Sequence, residues 1–112
     1  MKLIDCITDN AVQEFILQVE DFGRVKIRLT YMETQLGWFM DIDAGIKIIN
    51  GIRVVNSLNM IRNWQYVFGF GLAVQTDDGE DPKTLDAFSS GYAVMTLLSA
   101  DDVAEINDVY LQ

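Results

Sequence analysis

Apolar and polar residues alternate over much of this chain, and an Asp-X-Gly triplet interrupts the alternation at Asp21-Phe22-Gly23 and again at Asp43-Ala44-Gly45. A three-residue hairpin loop ending in Gly suits a type I turn followed by a left-handed bulge position. Folding about the first triplet sets Val19 opposite Val25, Leu17 opposite Ile27 and Phe15 opposite Leu29, with Glu20 against Arg24 and Gln18 against Lys26 on the reverse face. About the second, Ile42 meets Ile46, Met40 meets Ile48 and Asp41 meets Lys47. Apolar against apolar and acid against base, in one register, predicts two antiparallel hairpins.

The remaining pattern fills in around them. A short opening strand is expected at Leu3-Ile4, and Arg24 to Tyr31 alternates without a fault, with Arg24, Lys26 and Arg28 on an exposed, partly neutralised face. Gly37 opens the second hairpin, with Trp38, Met40 and Ile42 on its core side. In the return strand, Ile46 to Val55, Gly51 predicts a bulge or bend where the apolar pattern changes phase and the strand can pass to another sheet. Asn56 to Trp64 reads either as one helical turn or as an anchored loop. Trp64, Tyr66, Phe68 and Phe70 then alternate as an aromatic strand, followed by a strand at Leu72 to Gln75. The acidic stretch from Asp77 to Pro82 shows no cross-strand pairing and is not a third hairpin. Leu85 and Phe88 suggest a packed loop, and Tyr92 to Leu98 a central strand. Ser99 caps a short helix with acids in its first turn, seated by Val103 and Ile106, and Val109 to Gln112 forms an apolar tail. The fold class is mainly β: a small antiparallel β-barrel or sandwich built from hairpins, with a short C-terminal helix, in a single β domain over residues 1–112.

Composition changes this picture little. Half of the 112 residues are hydrophobic and 22% are charged, so a core can form without disulfides or metal. No apolar run reaches the roughly 20 residues of a membrane helix, and Lys2 and Asp5 break any secretory signal. The lone Cys6 fits a reducing compartment and reads as a small buried or half-buried side chain. Net charge is −9, and the excess falls late: Asp77, Asp78, Glu80, Asp81, Asp86, Asp101, Asp102, Glu105 and Asp108 follow Thr76 against Lys83 alone. Such an end repels nucleic acid. It serves either solubility or a surface facing something basic.

Catalytic chemistry is thin. The chain has no His, which removes the commonest general base and neutral metal ligand. Gly69-Phe70-Gly71 lacks the third Gly and the helix of a dinucleotide site. Asp77-Asp78-Gly79-Glu80-Asp81 resembles part of a calcium loop, without the bidentate Glu and flanking helices of an EF-hand; a solvated loop is the plainer reading. No catalytic, cofactor-binding or metal residues are assigned, no cofactor is expected, and the chain does not read as an enzyme.

One resemblance spans nearly the whole chain. Gly37-Trp38-Phe39-Met40-Asp41-Ile42-Asp43-Ala44-Gly45 is followed by Asn50-Gly51-Ile52-Arg53-Val54-Val55, Leu58, Met60-Ile61 and Gly71-Leu72-Ala73-Val74. An acidic loop with Asp81-Pro82, then Leu85 and Val94-Met95-Thr96-Leu97-Leu98, completes the series. In order and spacing these motifs resemble the small baseplate plug proteins of contractile-tailed bacteriophages, of the cyanophage type. The resemblance implies a structural virion protein, made in the host cytoplasm, at the distal end of the tail tube. Its implied partners are hub, spike and tube proteins, with homo-oligomers in a symmetric assembly and neither specific nucleic acid nor membrane. A different class of function, a free-standing β-barrel module binding a ligand or peptide through Trp64 to Phe70, is the alternative.

Overall fold

The computed structural model describes residues 2–19, 22–45, 47–62 and 69–111, with side chains through Glu105. The strands are β1 (Lys2–Ile4), β2 (Val12–Val19), β3 (Gly23–Met32), β4 (Gly37–Asp43), β5 (Ile48–Arg53), β6 (Gly71–Thr76) and β7 (Ala93–Leu98), followed by helix α1 (Ala100–Leu111). They form two antiparallel sheets, ordered β2-β3-β4-β5 and β1-β7-β6. Of the two expected architectures the sandwich is the one formed; the described strands do not close into a barrel. β7 is central, as its apolar density predicts.

Both hairpins form, and both differ in register from the sequence expectation. In the first, Val19 pairs with Gly23, Leu17 with Val25 and Phe15 with Ile27, so partners lie two residues nearer than expected. A shift of two keeps every side chain on its face. Gly23 (φ +119°) already belongs to the strand, and Phe22 donates its N–H to the Val19 carbonyl at 3.2 Å. The Phe22 ring packs edge-on against Phe70 at 5.3 Å, which anchors the turn at this point. The expected Glu20–Arg24 pair lies outside the described residues.

The second hairpin corrects the sequence reading more deeply. Asp43 pairs with Ile48 and Ile42 with Ile49, while Met40 faces Ile52. Ile48, expected opposite Met40 in the core, is 58% exposed, and Ile49 is buried in its place. The loop is held by Asp43, whose carboxylate accepts the Gly45 N–H at 3.0 Å, and by Ala44 donating to the Lys47 carbonyl at 3.0 Å. Asp41 therefore does not face Lys47, and the expected Ile42–Ile46 pair involves a residue outside the described set. Ile49 and Ile52 are three apart, so a regular strand would send them to opposite faces. The ladder steps between Met40 and Ile42, leaving Asn50 and Gly51 together opposite Asp41. Gly51 takes φ +74° and donates its N–H to the Asp41 carboxylate at 2.8 Å. This bulge returns Ile52 to the core side.

The passage between sheets comes just after β5. Val54 donates to the Trp38 carbonyl at 2.9 Å, still beside β4; Ser57 then exchanges two 2.9 Å hydrogen bonds with Val74 of β6. Met60 continues the contact by donating to the Leu72 carbonyl at 2.8 Å. Asn56 to Met60 is thus anchored along β6, and a single 3-10-type turn follows, with Arg62 donating its N–H to the Asn59 carbonyl at 3.3 Å; Asn63 and Trp64 lie outside the described residues. Asn59 is buried, and its Oδ1 accepts the N–H groups of Ile61 and Leu72. A Cβ on Gly71 would sit 2.8 Å from that amide, which is why Gly opens β6.

The two sheets share one core. Val25, Ile27, Leu29, Trp38, Met40 and Ile42 come from one sheet, with Leu72, Val74, Met95 and Leu97 from the other. On the reverse face of the second sheet, Val103 of α1 covers Ala73 and Leu98. Ser99 caps α1: its hydroxyl accepts the Asp102 N–H at 3.3 Å while its own N–H donates to the Asp102 carboxylate at 3.1 Å. The helix continues through Val109 and Tyr110, which sequence reasoning placed in a tail beyond it. Cys6 and Leu85 are exposed, not packed. Among the described residues no helix is long and apolar enough to cross a membrane.

The register makes a direct prediction. Ile49→Ala should destabilise the protein by about 2–4 kcal/mol, whereas Ile48→Ala should change it by less than about 0.5 kcal/mol. Urea unfolding midpoints of the two variants measure this, and equal effects would contradict the register.

Candidate functional site

The most heavily acidic segment is the connection between β6 and β7. Its base is closed by Asp77, which donates to the Tyr92 carbonyl at 3.1 Å, and by Thr76, whose hydroxyl donates to the Glu80 carbonyl at 2.6 Å. Asp81 accepts the Asn56 N–H at 2.9 Å, tying the connection to the passage between sheets. Farther along, the Lys83 carbonyl accepts the Tyr31 hydroxyl (2.8 Å) and the Thr84 carbonyl accepts the Trp38 indole N–H (3.0 Å). Phe88 meets the Trp38 ring edge-on at 5.9 Å, and Ala87 is buried beside it. An acidic stretch that reads as a solvated loop is therefore clamped at several points to the β3–β4 end of the other sheet.

Within it, the Tyr92 hydroxyl donates to Asp78, which also accepts the Glu80 N–H at 3.0 Å. These two donors, the Tyr92 hydroxyl first, hold the Asp78 carboxyl below the usual carboxylate range. The carboxylate in turn pushes the Tyr92 phenol above its ordinary value. Lys83 pairs with Glu80 at 3.0 Å, and Asp78, Glu80, Asp81, Lys83, Thr84 and Tyr92 line a shallow open depression. The three carboxylates of the depression, Asp78, Glu80 and Asp81, are thus engaged with different protein donors. Among the described residues no three His, Cys, Asp or Glu side chains are grouped to hold a metal ion.

The acids do not make a single surface. β6 and β7 are antiparallel, with Thr76 beside Ala93 at one end and Gly71 beside Leu98 at the other. Asp77, Asp78, Glu80, Asp81 and Asp86 belong to the first end; Asp101, Asp102 and Glu105 follow β7 at the second, about 17 Å away along the strands. The basic row of β3 is exposed as expected. Lys26 pairs with Glu14 at 3.3 Å, and the ladder sets Arg28 beside Asp41 and Lys26 beside Asp43. Of the aromatic run, Trp64, Tyr66 and Phe68 lie outside the described residues, and Phe70 is buried in the core.

The family described as cyanophage baseplate Pam3 plug gp18 matches this chain over residues 1–99. The chain belongs to that family. Plug-family membership makes it a structural component of the phage tail baseplate, located in the virion. The matched residues contain β1 to β7 and stop at Ser99, one residue before α1. No curated protein matches the chain.

Sequence reasoning identified Trp38 and the acidic loop of this plug-family chain separately. It missed that they meet, because Trp38 and Thr84 are 46 positions apart and the acceptor is a backbone carbonyl. Tyr92→Phe should return the Asp78 carboxyl toward its ordinary range, read by carboxyl NMR titration. The sign follows from the shifts: the Asp78 contribution is present above its unfolded value and is lost as pH falls through the depressed folded value. The Tyr92 contribution is present below the ordinary phenol value and is lost as pH rises through the raised one. An unchanged Asp78 titration in Tyr92→Phe would refute the coupling.

Proposed function

We propose that the chain is a non-catalytic plug at the distal end of the tail tube, seated against the hub and spike proteins as a homo-oligomer. The observation that carries this reading is the family match, which runs through every described strand rather than over one motif. The clamped connection supports it. A plug must present a fixed shape to its neighbours, and the Tyr31, Trp38 and Asn56 hydrogen bonds immobilise the segment richest in charge.

In this reading the end of the molecule bearing Asp77, Glu80 and Asp86 faces the tube lumen, where negative walls repel the phosphate backbone of DNA waiting behind the plug. The acids of α1, at the other end of the second sheet, do not share that wall. The test uses phage tails assembled with the triple variant Asp77→Lys, Glu80→Lys, Asp86→Lys, all exposed positions outside the core. Tails should assemble with hub and spike cross-linked to the chain, while DNA release slows. Unchanged release overturns the lumen placement, and isolated wild-type tails without cross-links from the chain to hub or spike overturn the seating.

A further inference from the structure

The two edges of the four-stranded sheet differ. β5 is blunted: the bulge at Asn50-Gly51 breaks its line, and the Gly51 N–H is already taken by Asp41. β2 is regular over its length and has no neighbour on its outer side among the described residues. The Ala11 carbonyl accepts the Tyr31 N–H at 2.7 Å, so odd-numbered positions direct their backbone groups toward β3. The N–H and C=O groups of Val12, Glu14, Ile16 and Gln18 therefore point outward. Val12 and Ile16 are also 52% and 54% exposed, and Glu14 is the one charge in the strand.

We propose that this edge is a pairing surface for a second copy of the chain, joined antiparallel about a two-fold axis through Ile16. The inference rests on the proposed self-association and names the surface that carries it. With Ile16 on the axis, it meets the partner's Ile16, and each Glu14 lies opposite the partner's Gln18, an amide donor facing a carboxylate. On the inner face each Phe15 meets the partner's Leu17, so two half-buried core-edge side chains cover each other. Registers that bring Glu14 toward the axis are poorer. Sliding one strand by two sets Ile16 against the partner's Glu14, and sliding by four sets the two Glu14 carboxylates face to face. Lys26, 3.3 Å from Glu14, stays on its own sheet and screens that carboxylate in either copy.

The test is analytical ultracentrifugation of the full chain across micromolar to millimolar concentration, with Ile16→Lys and Ile16→Pro. Pro removes only an outward N–H, leaving the ladder to β3 intact. Wild type should show a reversible dimer, and both variants should dissociate at least about tenfold more readily while keeping the wild-type circular dichroism. If the Pro variant unfolds, the Lys variant, which retains every backbone donor, decides. A wild type that stays monomeric throughout overturns the proposal, as does a dimer, trimer or hexamer that both variants retain. The last result leaves the plug homo-oligomer standing and moves its interface elsewhere.

Discussion

An indole N–H taken out of water needs an acceptor, and leaving one unpaired costs about 1–3 kcal/mol. Trp38 is fully buried in β4, where the ladder bonds of its own sheet use backbone groups only. Its acceptor is the Thr84 carbonyl, in the connection between the two strands of the other sheet. Meeting that requirement brings much else into place. Tyr31, tilted against the indole at 5.4 Å, reaches the adjacent Lys83 carbonyl, and Phe88 meets the ring edge-on at 5.9 Å. Meanwhile the Trp38 carbonyl receives Val54, the last residue beside the first sheet before the chain crosses to the second. Trp38, through its indole and its carbonyl, thus ties the two sheets together beside the acidic connection.

That arrangement suits a protein whose work is shape. A loop carrying several like charges gains conformational freedom and repels itself unless its backbone is tied down. Here the charges stay in water while the carbonyls beneath them are held by Tyr31 and Trp38. The outer face of the four-stranded sheet is treated differently. Its basic row is flanked by Glu14, Asp41 and Asp43, which leaves it nearly balanced. The result is a body with a clamped acidic end, a mild sheet face and, at β2 of the four-stranded sheet, an edge without a neighbour among the described residues.

How much of this was legible depended on distance along the chain. β3 alternates cleanly because one face is core and the other is water, and its extent follows from that alone. The faces of the first hairpin were legible too, but its register was set by Phe22 burying against Phe70, a contact across 48 positions. In β5 the phase change announced the bulge, yet choosing Ile49 over Ile48 for the core required knowing that Asp41 would accept the Gly51 N–H. The Trp38–Thr84 bond left no local trace, since any residue supplies a carbonyl. Family membership was legible for the opposite reason: it lies in the order of short strand-and-turn motifs, which survives errors of register.

A plug built in this way would close the tail tube as a unit, with its clamped acidic end toward the axis. A cryo-EM map of intact tails tests it most directly. The expected result is density for both sheets at the distal end of the tube, with the 77–86 segment ordered and facing the lumen. Density for the chain at the baseplate periphery, or with that segment turned outward, would contradict it.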